Sequence, residues 1–293
     1  MAKIIVLGAG GRLGAALVRG YAEGHDVTAW GRQEADLSAP DRVAELLRHA
    51  RPDVVINCAA MTNVDECETE RELAAVINAE APGAVAAAAK SAGARLIHIS
   101  TDYVFSGENI EPYAEDDAPG PISWYGETKL AGECAVMDAD ARHAVVRVSW
   151  VFGPDRDSFV DKAVQTAMRG EPVKAVADKW SSASYTADIG EALLALIDPA
   201  VAGGIYHICN AGVCTWQDWA AEAIAVVARA GLVPPGTRVE PLKLADIKVM
   251  LARRPVHTAM TCQRIETLLG HPLRPWQEAV QDYVASRYTA GSR

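Results

Sequence analysis

Five short apolar runs, separated by stretches of helical periodicity, constrain this chain more than any other feature. They are Ile4–Leu7, Val27–Trp30, Asp53–Asn57, Arg95–Ile99 and Ala144–Val148. Each has strand length and is apolar at consecutive rather than alternate positions, so both faces must be covered. Ala16, Leu17, Val18 and Tyr21 mark a helix after the first run. Asp41–His49, with Val43, Leu46 and Leu47, marks another, which Arg51-Pro52 stops. Alanine-rich Arg71–Ala92 and Ser123–Met137 supply two more. Alternation of this kind predicts an α/β fold with a doubly wound parallel sheet.

The first run leads into Gly8-Ala9-Gly10-Gly11-Arg12-Leu13-Gly14. Its glycines follow G-x-x-G-x-x-G, with Leu13 where the G-x-G-x-x-G fingerprint has its last glycine. The physics is shared. Glycine permits a sharp turn and close approach to a pyrophosphate, and the next helix aims its amides and positive dipole end at the anion. A tight strand–helix turn without a ligand is the alternative, but its place after the first strand favours a Rossmann-type cofactor site. Gly8, Gly10, Gly11, Arg12, Leu13 and Gly14 are the candidate residues. The second strand ends Trp30-Gly31-Arg32, without an acid to grip ribose hydroxyls. Arg32 is placed to pair with a 2′-phosphate, which predicts NADPH as cofactor with NADH as the alternative. A solvated loop arginine is the competing reading of Arg32. Asp36 and Leu37 are candidates to flank the adenine.

Composition narrows the partners. The 293 residues carry a net charge of −10 with no run of lysine or arginine, so no nucleic-acid groove is expected. No apolar stretch approaches the ~20 residues that span a bilayer, so no membrane partner is expected either. Met1-Ala2-Lys3 runs straight into a strand rather than a signal peptide. Cys58, Cys67, Cys134, Cys209, Cys214 and Cys262 form no C-x-x-C pair and no metal-site spacing with histidines. They read as buried, reduced thiols of a cytoplasmic protein without a metal site. His207 and His257 read as structural or pocket-lining.

Beyond Trp150 the rhythm changes. Helices are expected at Ser158–Arg169 and Trp216–Ala230, and strands near Val173–Val176 and Gly204–Ile208, between loops such as Val233-Pro234-Pro235-Gly236. Residues 1–150, with return strands near 173–208, read as the dinucleotide-binding domain. Residues 151–293 read mainly as a smaller, mixed α/β substrate lobe.

The chemistry is concentrated between Ser100 and Lys129. Thr101 follows the fourth run, at the strand end where open α/β sheets bind ligands. Tyr125 and Lys129 stand four apart and share one face of a helix. A phenol titrates near ~10 and is a poor proton carrier at neutral pH, and an adjacent ammonium would pull it towards working pH. A hydroxyl at Thr101 would hold a substrate carbonyl beside that phenol. Tyr-x-x-x-Lys alone is common by chance; with the glycine turn upstream it reads as a nicotinamide-dependent site.

With Asn57-Cys58-Ala59-Ala60, these residues resemble the extended short-chain dehydrogenase/reductase superfamily. Within it, five segments resemble the dTDP-4-dehydrorhamnose reductase family: Arg51–Asn57, Ala60–Glu68, Ser100–Gly107, Tyr125–Glu133 and Arg147–Gly153. The likeness continues more thinly through Gly204–His207 and Ala252–Pro255. It implies an oxidoreductase that reduces the C4 keto group of a dTDP-linked 6-deoxyhexose, as from dTDP-4-dehydro-L-rhamnose to dTDP-L-rhamnose. Thr101, Tyr125 and Lys129 match that family's catalytic set, and Cys58, Ala59 and Ala60 its cofactor contacts. Thr62, Val64, Asp102 and Trp150 fall where the family lines its sugar pocket, and Arg254 is a further candidate there. For Trp150, a core position is the alternative. The implied partner is a dTDP-linked keto-deoxysugar, and a homodimer is the candidate assembly.

Three segments depart from the family pattern. Ser181-Ser182-Ala183-Ser184 replaces Gly-x-Pro-Thr, Ser158 stands for an asparagine, and His257-Thr258 for Asn-Ser. All lie in the expected substrate lobe, so they bear on which sugar is taken. Three competing readings are a 4-ketoreductase of another dTDP-deoxysugar pathway, a sugar nucleotide epimerase or dehydratase, and a non-catalytic NADP-binding regulatory subunit. Dehydratases of the superfamily carry Thr-Asp-Glu, whereas Tyr103 follows Asp102 here. The complete Thr/Tyr/Lys set argues against a subunit without catalysis.

Overall fold

Alternate residues of the first strand face two different cores. In the computed structural model, which describes residues 1–289, β1 (Lys3–Leu7) sends Ile4 and Val6 to one face and Ile5 and Leu7 to the other. Ile4 and Val6 pack with Leu13, Leu17 and Tyr21 of α1 (Arg12–Tyr21). Ile5 and Leu7 pack with Val43 and Leu47 of α2 (Pro40–Ala50) and Val85 of α3 (Ala81–Ser91). Helices on both faces explain the consecutive apolar positions.

β2 (Asp26–Trp30), β3 (Val54–Asn57), β4 (Arg95–Thr101), β5 (Ala144–Val148) and β6 (Gly204–His207) complete a six-stranded sheet. Its order is β6-β5-β4-β3-β1-β2, and every pairing is parallel. This is the Rossmann-type, doubly wound arrangement. The chain reverses direction across the sheet between β1 and β3, so the crevice at their carboxyl ends is the place for a ligand. Leu7 and Asn57 are in register there, and Asn57 is in register with His98.

The expected helix 71–92 is interrupted. Arg71–Ala75 and α3 are joined by one π-helical turn, Val76–Glu80. Pro82 supplies the reason: it lacks an N–H, and its ring clashes with the carbonyl four residues back, that of Asn78. Widening the preceding turn relieves both problems. The buried Asn78 side chain then reaches sideways, accepting from the Met61 amide at 2.9 Å and donating to the Met61 carbonyl at 3.0 Å. It thereby holds the loop that follows β3.

α4 (Trp124–Ala139) begins after Ser123, whose side chain accepts from the Gly126 amide. The second lobe has its own core, in which Phe152, Trp219 and Tyr283 pack with α5 (Phe159–Met168). α6 (Thr186–Ala195) returns to cover α1 on the sheet. α7 (Trp216–Arg229) and α8 (Trp276–Val284) close the lobe. Of the strands expected to return to the sheet near 173–208, only β6 does so. Val173–Val176 pairs with Val239–Leu242 inside the second lobe, because its Val173 and Ala175 are buried in that lobe's core. No helix among the described residues is long and apolar enough to cross a membrane. Of the six cysteines, Cys134 is exposed on α4 and Cys58 is half-buried, against the expectation that all are buried. The helix turns Cys134 away from the face carrying Tyr125 and Lys129.

Candidate active site

The glycine turn meets the loop after β3. Gly8 adopts φ +74°, and a Cβ there would stand 2.7 Å from the Ala59 amide nitrogen. A Cβ on Gly14 would stand 2.3 Å from the Gly8 carbonyl oxygen. Both positions demand glycine, whereas a Cβ on Gly10 would meet only open space. α1 starts from Gly11 with no side-chain cap and no acid in its first turn. Its leading amides, at Arg12, Leu13 and Gly14, are thus available to an anion, and the cradle fits the pyrophosphate of a dinucleotide. Arg12 itself points elsewhere. Its guanidinium donates to the carbonyls of Val151, Arg156 and Asp157, tying the turn to the second lobe.

Past β2, Arg32 is exposed, and its Nε donates to Asp36 at 3.1 Å. Asp36 also accepts from the Ser38 amide, and these contacts hold its carboxyl below the usual range despite some burial. Leu37 is buried against the α2 side of the sheet. Glu34, which sequence reading passed over, accepts from the Gly31 amide at 2.9 Å and brings an acid to the tip of β2. Beyond β3, Cys58, Ala59 and Ala60 are half-buried. The Ala59 amide donates to Asn57 Oδ1 at 3.1 Å.

Thr101 ends β4, and Tyr125 and Lys129 project from the first turns of α4 onto it; all three are buried. The Thr101 hydroxyl donates to Asp102 Oδ1 at 3.1 Å and accepts from the Tyr103 amide. Its one proton is therefore engaged by the protein in the ligand-free chain. Tyr125 departs from expectation. Burial pushes its phenol above the ordinary value, opposed by the Thr101 hydroxyl and reinforced by the Asp102 charge. Lys129 does not pull it down, because the Nζ atom is turned to the Ile99 carbonyl at 2.7 Å and His98 Nε2 at 3.3 Å. Burial depresses Lys129 itself to about 8, while Glu133 and Cys58 act in the other direction.

Of the residues expected at the sugar, Thr62 is exposed and Val64 half-buried, at the start of a short helix, Val64–Thr69, capped by Asn63. Arg254 makes a bidentate pair with Asp65 of that helix at 3.1 and 2.9 Å. The Leu251 and Ala252 amides join the same carboxylate, so residues 251–254 are strapped to that short helix. Trp150 holds a rare φ of +39°. It stacks on Trp219 at 5.6 Å, meets Trp216 at 5.8 Å and has Lys179 Nζ 5.8 Å from its ring, yet the residue is only half-buried.

Asp102 is not open to a sugar hydroxyl. It is buried, and Oδ2 accepts from Ser181 at 3.1 Å and Thr258 at 2.6 Å. Two of the three departing segments thus converge on the neighbour of Thr101. Ser149 extends the cluster through Ser181 at 2.7 Å. The third, Ser158, is a helix cap: its amide and hydroxyl both donate to Asp161 at 2.7 Å. His257 stacks on Trp180 at 4.5 Å, and His207 is enclosed between Thr261 and Arg147.

Besides Glu34, three residues near the site escaped the sequence reading. Lys179 is fully buried, donates to the Pro255 carbonyl at 2.6 Å and lies 5.2 Å from the Tyr103 ring centroid. Burial lowers it to about 8, against the Asp102 charge. His98 and Asn78 are likewise buried and hydrogen-bonded. His98 and Asn78 are lone polar residues in an apolar and an alanine-rich run, which was the available signal; Lys179, between Asp178 and Trp180, carries none.

The family described as RmlD substrate binding domain matches residues 2–289. The chain is 42% identical to a dTDP-4-dehydrorhamnose reductase of Mycolicibacterium smegmatis, over 97% of this chain and 85% of that one. It is 37% identical to a probable dTDP-4,6-dihydroxy-2-methyloxan-3-one 4-ketoreductase of Streptomyces antibioticus, over 95% and 93%. Among solved structures, a dTDP-4-dehydrorhamnose reductase of Bacillus anthracis in complex with NADP superimposes with a TM-score of 0.89. That pair is 31% identical over 98% of this chain and 100% of the other.

Proposed function

Because the chain belongs to the RmlD substrate binding domain family, we propose that it reduces the C4 keto group of a dTDP-linked 6-deoxyhexose with NADPH. The closest match of reaction is dTDP-4-dehydro-L-rhamnose to dTDP-L-rhamnose, which the names of several relatives support. The observation that carries the reading is a buried phenol, Tyr125, placed with Thr101 and Lys129 at the carboxyl end of a central strand, in a sheet whose first strand leads into an uncapped glycine turn. Bound NADPH supplies the hydride for the carbonyl carbon.

The chain's own residues do the rest. Amides of Arg12, Leu13 and Gly14 hold the pyrophosphate, with Gly8, Gly10 and Gly11 giving the backbone its close approach. Cys58, Ala59 and Ala60 wall the crevice, and Arg32, with Asp36 and Leu37 behind it, serves the adenosine end. Burial keeps Tyr125 protonated, which is the state required to give a proton to the carbonyl oxygen as charge develops on it. Thr101 borders the carbonyl, and Lys129 has donors for a ribose hydroxyl. Thr62, Val64, Trp150 and Arg254 border the sugar nucleotide, while Asp102 acts through Thr101. Residues 1–150 with β6 form the cofactor half, and 151–293 mainly the sugar lobe. The reading extends to a cytoplasmic enzyme that works as a homodimer, which light scattering tests.

The test is NADPH oxidation with a dTDP-4-keto-6-deoxyhexose, followed by NMR of the product at C4. Turnover with that substrate is expected. Absence of oxidation across dTDP-4-keto sugars overturns the assignment.

A further inference from the structure

Two cations show how this fold satisfies a charge held away from water. Arg147 is buried and places Nε and Nη2 on the Glu133 carboxylate at 3.0 and 2.7 Å. Arg254 grips Asp65 at 3.1 and 2.9 Å and gives a further bond to the Ala252 carbonyl at 2.9 Å. In each, a carboxylate faces the fork of donors.

Lys179 is not satisfied in that way. It is 0% exposed, and among the described residues Nζ donates only to the Pro255 carbonyl, at 2.6 Å. An ammonium has three N–H groups and no lone pair, so two donors are left without a protein acceptor. The Asp102 charge acts on Lys179, but the carboxylate is turned to other partners, Thr101 at Oδ1 and Ser181 and Thr258 at Oδ2. Two rings flank the ammonium, with the Tyr103 centroid at 5.2 Å and the Trp150 centroid at 5.8 Å. Their faces attract the charge but do not replace its hydrogen bonds. Burial brings Lys179 down to about 8, which leaves most of it charged at neutral pH. A buried charge with two idle donors is costly, and a bound acceptor removes that cost.

Position and charge select the acceptor. Tyr103 packs edge-on against Tyr125 at 5.6 Å, so Nζ lies one ring away from the reacting phenol. Trp150, on the other side of Nζ, is one of the residues proposed to border the sugar. The mount is firm: the Trp180 amide donates to the Val256 carbonyl at 2.7 Å, and the Thr258 amide to the Trp180 carbonyl at 2.9 Å. The four-carbon stem stays flexible, so Nζ can turn to a ligand without backbone movement. The charges nearby are already balanced, Lys179 against Asp102 and Arg254 against Asp65. A phosphate would add negative charge beside Asp102. A sugar hydroxyl is neutral and offers lone pairs to the idle N–H groups. An amino group in its place is an ammonium at neutral pH, and sets donor against donor and like charge against like.

We propose that Lys179 is a specificity-determining residue whose idle N–H groups hold a ring hydroxyl of the bound sugar, so that the enzyme takes hydroxylated 4-keto sugars and rejects those with an amino group at that position. This rests on the proposed reduction of a dTDP-linked sugar, and binding of stable ligands tells the two apart. Unaltered protein and Lys179→Met, each saturated with NADP, are titrated by calorimetry with dTDP, with dTDP-L-rhamnose, and with its analogues bearing an amine for the hydroxyl at C2 or at C3. The unaltered protein is expected to bind dTDP-L-rhamnose and to lose about tenfold or more in affinity with one of the two amines. Lys179→Met is expected to bind dTDP-L-rhamnose about tenfold or more weakly, to keep its affinity for dTDP, and to narrow the gap between hydroxyl and amine. Equal weakening of dTDP and dTDP-L-rhamnose overturns the proposal, since the contact would then be to the diphosphate or to the fold alone. So does an unmoved affinity for dTDP-L-rhamnose, or tolerance of both amines by the unaltered protein. If the unaltered protein binds none of the dTDP sugars, the proposed reaction falls and this inference with it. If Lys179→Met does not fold, 15N spectra of the lysine ammonium groups of the unaltered protein decide. The Lys179 signal, assigned by its Overhauser contacts to the Tyr103 and Trp150 rings, is expected to move with dTDP-L-rhamnose and not with dTDP. A signal that ignores the sugar, or answers both ligands alike, overturns the proposal.

Discussion

A phenol that must give away a proton is served by surroundings that keep the proton on until the acceptor becomes basic. Tyr125 has such surroundings. It is buried, packs edge-on against Tyr103 at 5.6 Å, and is raised above its ordinary value. Charge on the reacting oxygen is then what releases the proton. Tyr125→Phe keeps the ring and its packing but removes the proton, so turnover should fall by about 10²–10⁴-fold. NADPH affinity, read by fluorescence titration, should hold. A near-normal kcat in that variant would remove Tyr125 from the mechanism. Arg32 offers a second test at this scale. It is exposed and pairs with Asp36 at 3.1 Å in the ligand-free chain, so a 2′-phosphate would compete with a weak surface pair. A charge-assisted bond to phosphate is worth about 1.5–3 kcal/mol. Arg32→Ala should therefore lower kcat/KM for NADPH by roughly tenfold or more and leave NADH unchanged. Equal losses with both cofactors would assign Arg32 to the loop alone.

Tyr125, Lys129 and Glu133 form a stripe at i, i+4 and i+8 of α4, and all three are buried. The helix is thus the rigid mount of the site, and Glu133 is its anchor. Its carboxylate takes Nε and Nη2 of Arg147 at 3.0 and 2.7 Å, with both side chains 2% exposed. Breaking a buried pair leaves an uncompensated charge and costs about 3–5 kcal/mol. Glu133→Gln should lower stability by that amount in urea unfolding, whereas a loss under ~1 kcal/mol, typical of a surface pair, would mean that Arg147 finds other partners. The elements themselves were legible in sequence because their signals are local. Consecutive apolar positions mark β1 and β3 to β5, and the four-residue spacing places Tyr125 beside Lys129. Two features were not read. Pro82 announces a fault in the alanine-rich helix, but what the fault does, swinging Asn78 onto Met61, depends on a loop some seventeen residues away in sequence. Val173–Val176 has the composition of any buried strand, and nothing local says that its partner is Val239–Leu242.

The same contrast runs through the whole molecule. The parallel sheet and its glycine turn could be read from the strand rhythm and the glycine spacing, since both are written in consecutive residues. The cluster around Asp102 could not, because Ser181 and Thr258 reach it from 79 and 156 residues away. Their departures from the family pattern were visible, but their meeting point was not. Long-range burial also sets how the protein responds to acid. His98, His143 and His207 are all 0% exposed and all depressed below the ordinary histidine value, chiefly by burial; His207 falls to about 3. A base depressed in the folded state contributes stability that is present above its unfolded pKa, about 6.5, and is lost as pH falls. The unfolded chain takes up protons that the folded chain refuses. Each refused proton costs about 1.4 kcal/mol per pH unit once pH lies well below the unfolded value. Three together predict a loss of roughly 3 kcal/mol between about pH 7 and 5.5, before the lowered carboxylates of Asp65 and Asp161 add a loss of the same sign at lower pH. Urea unfolding at a series of pH values measures it. A flat profile down to about pH 5.5 would mean that these imidazoles are protonated inside the fold.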